Sequence, residues 1–168
     1  DPSSAHSGSN VWGNDLGNVI DGQQWNGEYQ NSKHNRLTSR AFEPQHYEDV
    51  FLHYWRWLSV EDGYFDSGNV LANGEVVWSN HDSNDEDGGE HHQEAQWVPH
   101  SVDLGDLATE ASLQFSWEII SDQGLSMGGW TLDDVCLFAP ATPNNRLAIL
   151  DFQASDGESG AVTLTWTN

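Results

Sequence analysis

Cysteine is almost missing from this chain of 168 residues: Cys136 stands alone, so no disulfide can form within it and no thiol-based zinc cluster can be built. Its neighbours Val135, Leu137 and Phe138 mark it as a buried, inert thiol. Basic residues are nearly as scarce. Lys33, Arg36, Arg40, Arg56 and Arg146 face 27 Asp and Glu, giving a formal net charge of −22 and a pI near 4.2. Phosphate backbones are bound through basic patches, so nucleic acid is excluded as a partner, and anionic membrane surfaces are disfavoured for the same reason. No apolar run approaches the ~20 residues that cross a bilayer, so no membrane insertion is expected. The first residues are polar and show no secretory leader, as expected of a secreted chain that has already lost one. Helical periodicity is scarce as well.

Aromatic residues are plentiful, with nine Trp, six Phe and four Tyr in a chain that is otherwise only 36% apolar. Buried area must come largely from these rings. Acidic segments that stay disordered have few aromatics, so this composition points to a packed domain. The length allows one such domain with a short extension. A surface this acidic repels itself unless bound divalent ions or a salty extracellular medium screen it.

Short aromatic or β-branched runs separated by Gly, Asn, Asp and Ser predict an all-β fold, a two-sheet antiparallel jelly-roll sandwich. The expected strands are 9–12, 36–42, 50–60, 68–71, 75–78, 96–103, 111–120 and 129–138. The run VFLHYWRWLSV carries aromatics at both alternating sets of positions, as in a central strand covered on both sides. In LANGEVVW, Asn73-Gly74 is the dipeptide of a tight hairpin. The polar stretch 79–94 is a long loop, of a length more often functional than merely connecting. After Phe138 the stretch APATPNNR has linker character, dividing the chain into a domain at 1–139, a linker at 140–146 and a tail at 147–168.

Four groups of residues invite a functional reading. In GGWTLDDV, Asp133 and Asp134 are adjacent on a strand, so one faces inward unless a bulge intervenes. An inward carboxylate needs either a hard cation with oxygen ligands, for which calcium is suited, or backbone amides at a strand end; the pattern leaves both open. SNDEDGGEHHQE spaces Ser83, Asp85, Asp87, Gly88 and Glu94 like a calcium loop, but Ser stands where Asp is expected and no helices flank it, so a solvated acidic loop is the competing account. The eight histidines include no H-E-x-x-H, and His6, His53 and His100 fall in or near strands as structural residues. Trp12, Trp25, Tyr29 and Tyr64 fall in or beside loops, where exposed rings could stack on sugar, whereas Trp55, Trp117 and Trp130 are expected in the core. No G-x-S-x-G elbow supports a catalytic triad; two carboxylates suffice for a glycosidase, so a secreted hydrolase remains an alternative.

Taken in order, AHSGSNVWGNDLG, RLTSRAFE, VFLHYWRWLSVEDGYFDSGNV, WVPHSVDLGD and LQFSWEIISDQGLSMGGWTLDDVCLF resemble the jelly-roll accessory domain found beside immune inhibitor A-type peptidases in bacterial secreted proteins. That domain is similar to MAM domains and to carbohydrate-binding modules, and the likeness spans about residues 5–138. The tail DFQASDGESGAVTLTWTN resembles the opening strands of a fibronectin type III domain. The resemblance implies a non-catalytic, calcium-stabilised binding or scaffolding module of a secreted or cell-surface protein, partnered by polysaccharide or neighbouring domains, with the ion at Asp133 or Asp134. Relatives place an Asp-Phe-Glu strand ahead of the Ala-His-Ser-Gly stretch. Its absence here implies an open sheet edge that another chain, or 161–166, would fill, and with it an alternative: homo-assembly into fibres by strand exchange.

Overall fold

The long aromatic run becomes the central strand of one sheet. In the computed structural model, which describes residues 2–17, 19–20, 23–24, 26–43, 49–87, 89–139, 148–151, 153–155 and 163–165, the strands are β1 (Trp12–Gly13), β2 (Val19–Ile20), β3 (Gln23–Gln24), β4 (His34–Thr38), β5 (Phe51–Val60), β6 (Ser67–Ala72) and β7 (Glu75–Ser79). They continue with β8 (His92–Gln93), β9 (Val98–Asp103), β10 (Phe115–Ile120), β11 (Gly129–Ala139), β12 (Ala148–Asp151), β13 (Gln153–Ser155) and β14 (Thr163–Thr165), with a 3-10 turn at Gly105–Thr109.

Two antiparallel sheets form the sandwich. The first runs β1-β11-β5-β8, with β9 also on β5 and β12 also on β11; the second runs β4-β10-β6-β7. In β5 the even positions Leu52, Tyr54, Leu58 and Val60 are fully buried and Arg56 is nearly so, while the odd positions Phe51, His53, Trp55, Trp57 and Ser59 are half-buried. The expectation of a strand covered on both sides therefore holds only for the inner face. That face meets Leu37, Val70, Phe115, Trp117 and Ile119 from the second sheet and Trp130, Leu132 and Leu137 from β11. Trp117 and Trp130 lie in the core as expected; Trp55, on an odd position, lies on the outer face.

The hairpin forms where the dipeptide placed it: Asn73 and Gly74 join β6 to β7, both with positive φ (52° and 86°). The two-residue strands β2, β3 and β8 are too short to leave a periodic signal, and the expected 111–120 strand starts only at Phe115. In the tail it is β12, residues 148–151, that pairs with β11 at Cys136 to Ala139, on the edge that also receives β1. The run 161–166, expected to fill that edge, instead contributes 163–165 to a ribbon with 153–155.

Candidate functional site

The Asp133–Asp134 doublet sits on a bulge. Opposite β5, Asp133 faces Trp55 and Cys136 faces His53, so β11 carries one residue more than its partner between those pairs. Asp134 takes the left-handed conformation, φ 48°, that accommodates it. The extra residue resets the alternation. Leu132 and Leu137 both stay inward while neither carboxylate does: Asp133 is half-buried and Asp134 exposed. The bulge that the doublet left open as an exception is thus present, and it turns both acids to the outer face. There the Ser7 amide donates to Asp133 Oδ2 (3.0 Å), the Ser7 hydroxyl to Asp134 Oδ1, and His6 Nδ1 lies 2.7 Å from Asp134 Oδ2. The His6 ring also stacks on Trp55, with centroids 3.6 Å apart, and Trp97 Nε1–H donates to the Ser4 carbonyl. The doublet thus clasps the N-terminal segment to the sheet.

The acidic loop is organised around a residue outside it. Asp62, with no exposed surface, accepts the amides of Ser83 and Tyr64 on Oδ1 and of Glu90 on Oδ2, and these bonds hold its carboxyl well below the usual carboxylate range. Asp85 and Asp87 are exposed, and Gly88 lies outside the described residues. Glu94 is engaged elsewhere. Its amide donates to the Leu58 carbonyl and its carboxylate accepts the Leu58 amide, filling the gap in the β5 ladder between β8 and β9. Its other oxygen accepts from Arg56 Nε (2.9 Å). Glu94 does not converge with Asp85 and Asp87, since among the described residues no group of three or more potential ligands includes them, a correction to the calcium-loop spacing.

Among the aromatic candidates, Tyr29 requires the clearest correction. It is 2% exposed, and its hydroxyl donates to Asp66 Oδ2 (2.5 Å) while accepting the Glu61 amide, so its ring is not available to a sugar. Trp12 packs half-buried against the core. Tyr64 is exposed, its ring edge-on to Phe65. Trp25 lies outside the described residues. The partly exposed aromatic surface lies instead on the outer face of the first sheet: Phe51 stacked on Phe138 at 5.1 Å, then Trp55, Trp57 and Trp97. Strand alternation in VFLHYWRWLSV would have revealed it, had the odd positions been assigned to solvent.

Composition also concealed a convergence of acids. Among the described residues, metal-ligating side chains meet in a group of three or more only at Glu61, Asp66 and Asp122, whose nearest carboxylate oxygens all lie within 4.8 Å of one another; Asp133, Asp134, Asp85, Asp87 and Glu94 are not part of it. Glu61 follows β5, Asp66 precedes β6 and Asp122 follows β10, positions far apart in sequence. Burial, and then the neighbouring Asp66 and Asp122, push the Glu61 carboxyl up.

No protein-family model matches the chain. It is 28% identical over 138 residues to Bacillopeptidase F of Bacillus subtilis (strain 168), a match that takes in 81% of this chain and 8% of that protein. The chain therefore spans under a tenth of the length of this relative. No helix among the described residues is long and apolar enough to cross a membrane.

Proposed function

We propose that this chain is a non-catalytic accessory module of a secreted or cell-surface bacterial protein, and that it binds uncharged polysaccharide on the outer face of its first sheet. The observation that carries this reading is the row of half-buried rings, Phe51, Trp55, Trp57, Trp97 and Phe138, on the side of β5 and β11 turned away from the core. Aromatic rings left partly open along one face are costly to display and mark contact surfaces. His6 covers one face of Trp55 at stacking distance, the geometry a pyranose would adopt on it in place of that imidazole or on the neighbouring Trp57. The likeness to a short stretch of a much longer peptidase supports a module within a larger protein.

The net charge of −22 selects among glycans: an anionic polymer is repelled, a neutral one is not. Depletion of the protein from solution by insoluble cellulose, chitin and mannan, with heparin as the anionic control, tests the reading. Retention on at least one neutral polymer is expected, weakened at least tenfold by Trp55→Ala or Trp57→Ala with little change in melting temperature, and none on heparin. Failure of every neutral polymer to retain the protein, or equal retention of both variants, would refute it.

A further inference from the structure

We propose that Glu61, Asp66 and Asp122 bind a calcium ion at the end of the sandwich where Tyr29 packs, bridging the two sheets. The trio has the dimensions of such a site. Calcium takes oxygen ligands at roughly 2.4 Å, so donors around it lie up to ~4.8 Å apart, the limit within which these oxygens converge. Three separate segments supply them, one from the first sheet and two from the second, so an ion here would tie β5 to β6 and β10.

Glu61 supplies the second observation. It is only 8% exposed, and its Oε2 has no hydrogen-bond partner, whereas buried polar atoms are almost always partnered. Asp66, with no exposed surface, holds one donor on each oxygen, the Asp122 amide (2.7 Å) and the Tyr29 hydroxyl. Each of these oxygens keeps a lone pair for a cation. None of the described ion pairs reaches the trio. Gathering carboxylates in a half-buried pocket without a cation is unfavourable by mutual repulsion and by desolvation; a divalent ion offsets both.

The pocket is also built in advance. The Tyr29 amide donates to the Met127 carbonyl, the Ser32 amide to the Asp122 carbonyl, and the Asn80 side-chain amide to the carbonyls of both Glu61 and Asp66. These bonds fix the three segments relative to one another before an ion arrives. Carboxylate and other oxygen donors favour calcium over zinc or copper, and donors drawn from three separate segments suit its flexible coordination better than the strict octahedron of magnesium.

Calorimetric titration of the metal-stripped chain at fixed ionic strength decides the matter. Saturable uptake of one calcium per chain is expected, tighter than magnesium, with a melting temperature that climbs with calcium concentration by mass action. Glu61→Gln should weaken calcium at least tenfold and abolish calcium-displaceable terbium luminescence, while Asp134→Asn should leave both unchanged. If Glu61→Gln does not fold, the exposed Asp122 offers Asp122→Asn with the same expectation. No saturable uptake, unaltered affinity in the Glu61 and Asp122 variants, loss of binding in Asp134→Asn alone, or preference for magnesium would each overturn the assignment. The glycan reading stands or falls separately, since Trp55→Ala leaves every donor of this pocket in place.

Discussion

At the scale of single residues, the least expected side chain is Arg56, which points into the core from the centre of an aromatic strand. It is tolerated because Glu94 meets its Nε at 2.9 Å, both side chains being about nine-tenths buried, and because its guanidinium carbon sits 4.4 Å from the ring centre of Trp78. Removing one partner of a buried pair strands the other, a loss of about 3–5 kcal/mol. Arg56→Met is therefore expected to destabilise by that order in urea unfolding, and Arg56→Met/Glu94→Gln by clearly less than the two single changes added together. Additive losses would show that Glu94 acts through the Leu58 amide alone. The alternation of VFLHYWRWLSV did place Arg56 with Leu52, Tyr54 and Leu58, so its burial was legible; its partner 38 residues away was not, because pairing across a loop leaves no periodic trace. Tyr29 shows the opposite case. A loop position between glycine and polar residues left open whether the ring was exposed, and it packs in the core with its hydroxyl bonded to Asp66 and to the Glu61 amide.

At the scale of elements, strand positions followed from alternation and turn chemistry, and the departures occur where one residue breaks the pattern. The doublet in β11 is such a place: period-two reasoning sends adjacent acids to opposite faces, and only a residue able to adopt positive φ, here Asp134, restores both to one face. The glycines before it serve the same strand. Gly129 has φ 73°, and a Cβ there would stand 2.7 Å from Asn14 Oδ1, the atom that accepts the Trp130 amide. Gly129→Ala combines an unfavourable backbone conformation with that clash, so a loss of about 1–3 kcal/mol is expected, with faster exchange of the Trp130 amide proton. An unchanged exchange rate would mean that Asn14 moves aside freely. The acidic loop was legible as a loop but not as a structure, because its organiser, Asp62, precedes it by some twenty residues and looks like any other acid in so acidic a chain.

At the scale of the whole molecule, the charge imbalance makes stability a question of where protons and cations go. Besides Asp62, three described groups carry folded-state values below their ordinary ones. Burial, followed by the nearby Arg56 charge, lowers the His100 imidazole from 6.5 to about 4. Burial alone would raise Glu94 and Glu118, yet hydrogen bonds from His92 and the Leu58 amide to the one, from His34, Arg36 and Asn69 to the other, together with the arginine charges, bring both below the usual range. For each, the unfolded chain binds the proton more readily, so stability is complete above the unfolded value and drains away as pH falls through the folded one. Glu61 has the reverse sign. Its raised value means that the metal-free fold gains from protonating it and loses that gain as pH rises, so calcium would matter most in neutral medium. The windows separate the groups: between pH 6.5 and about 4 the His100 loss is the one that a single substitution removes. Replacing His100 with Gln keeps a polar partner for the Tyr54 hydroxyl, 2.7 Å away, and takes the titrating ring out. Urea unfolding of the metal-free protein in that range is expected to show the wild type losing about 1–3 kcal/mol more than His100→Gln as the pH is lowered. Parallel curves for the two proteins would place the titrating group somewhere other than this imidazole, and would leave the pocket between β5, β7 and β9 unable to hold it neutral.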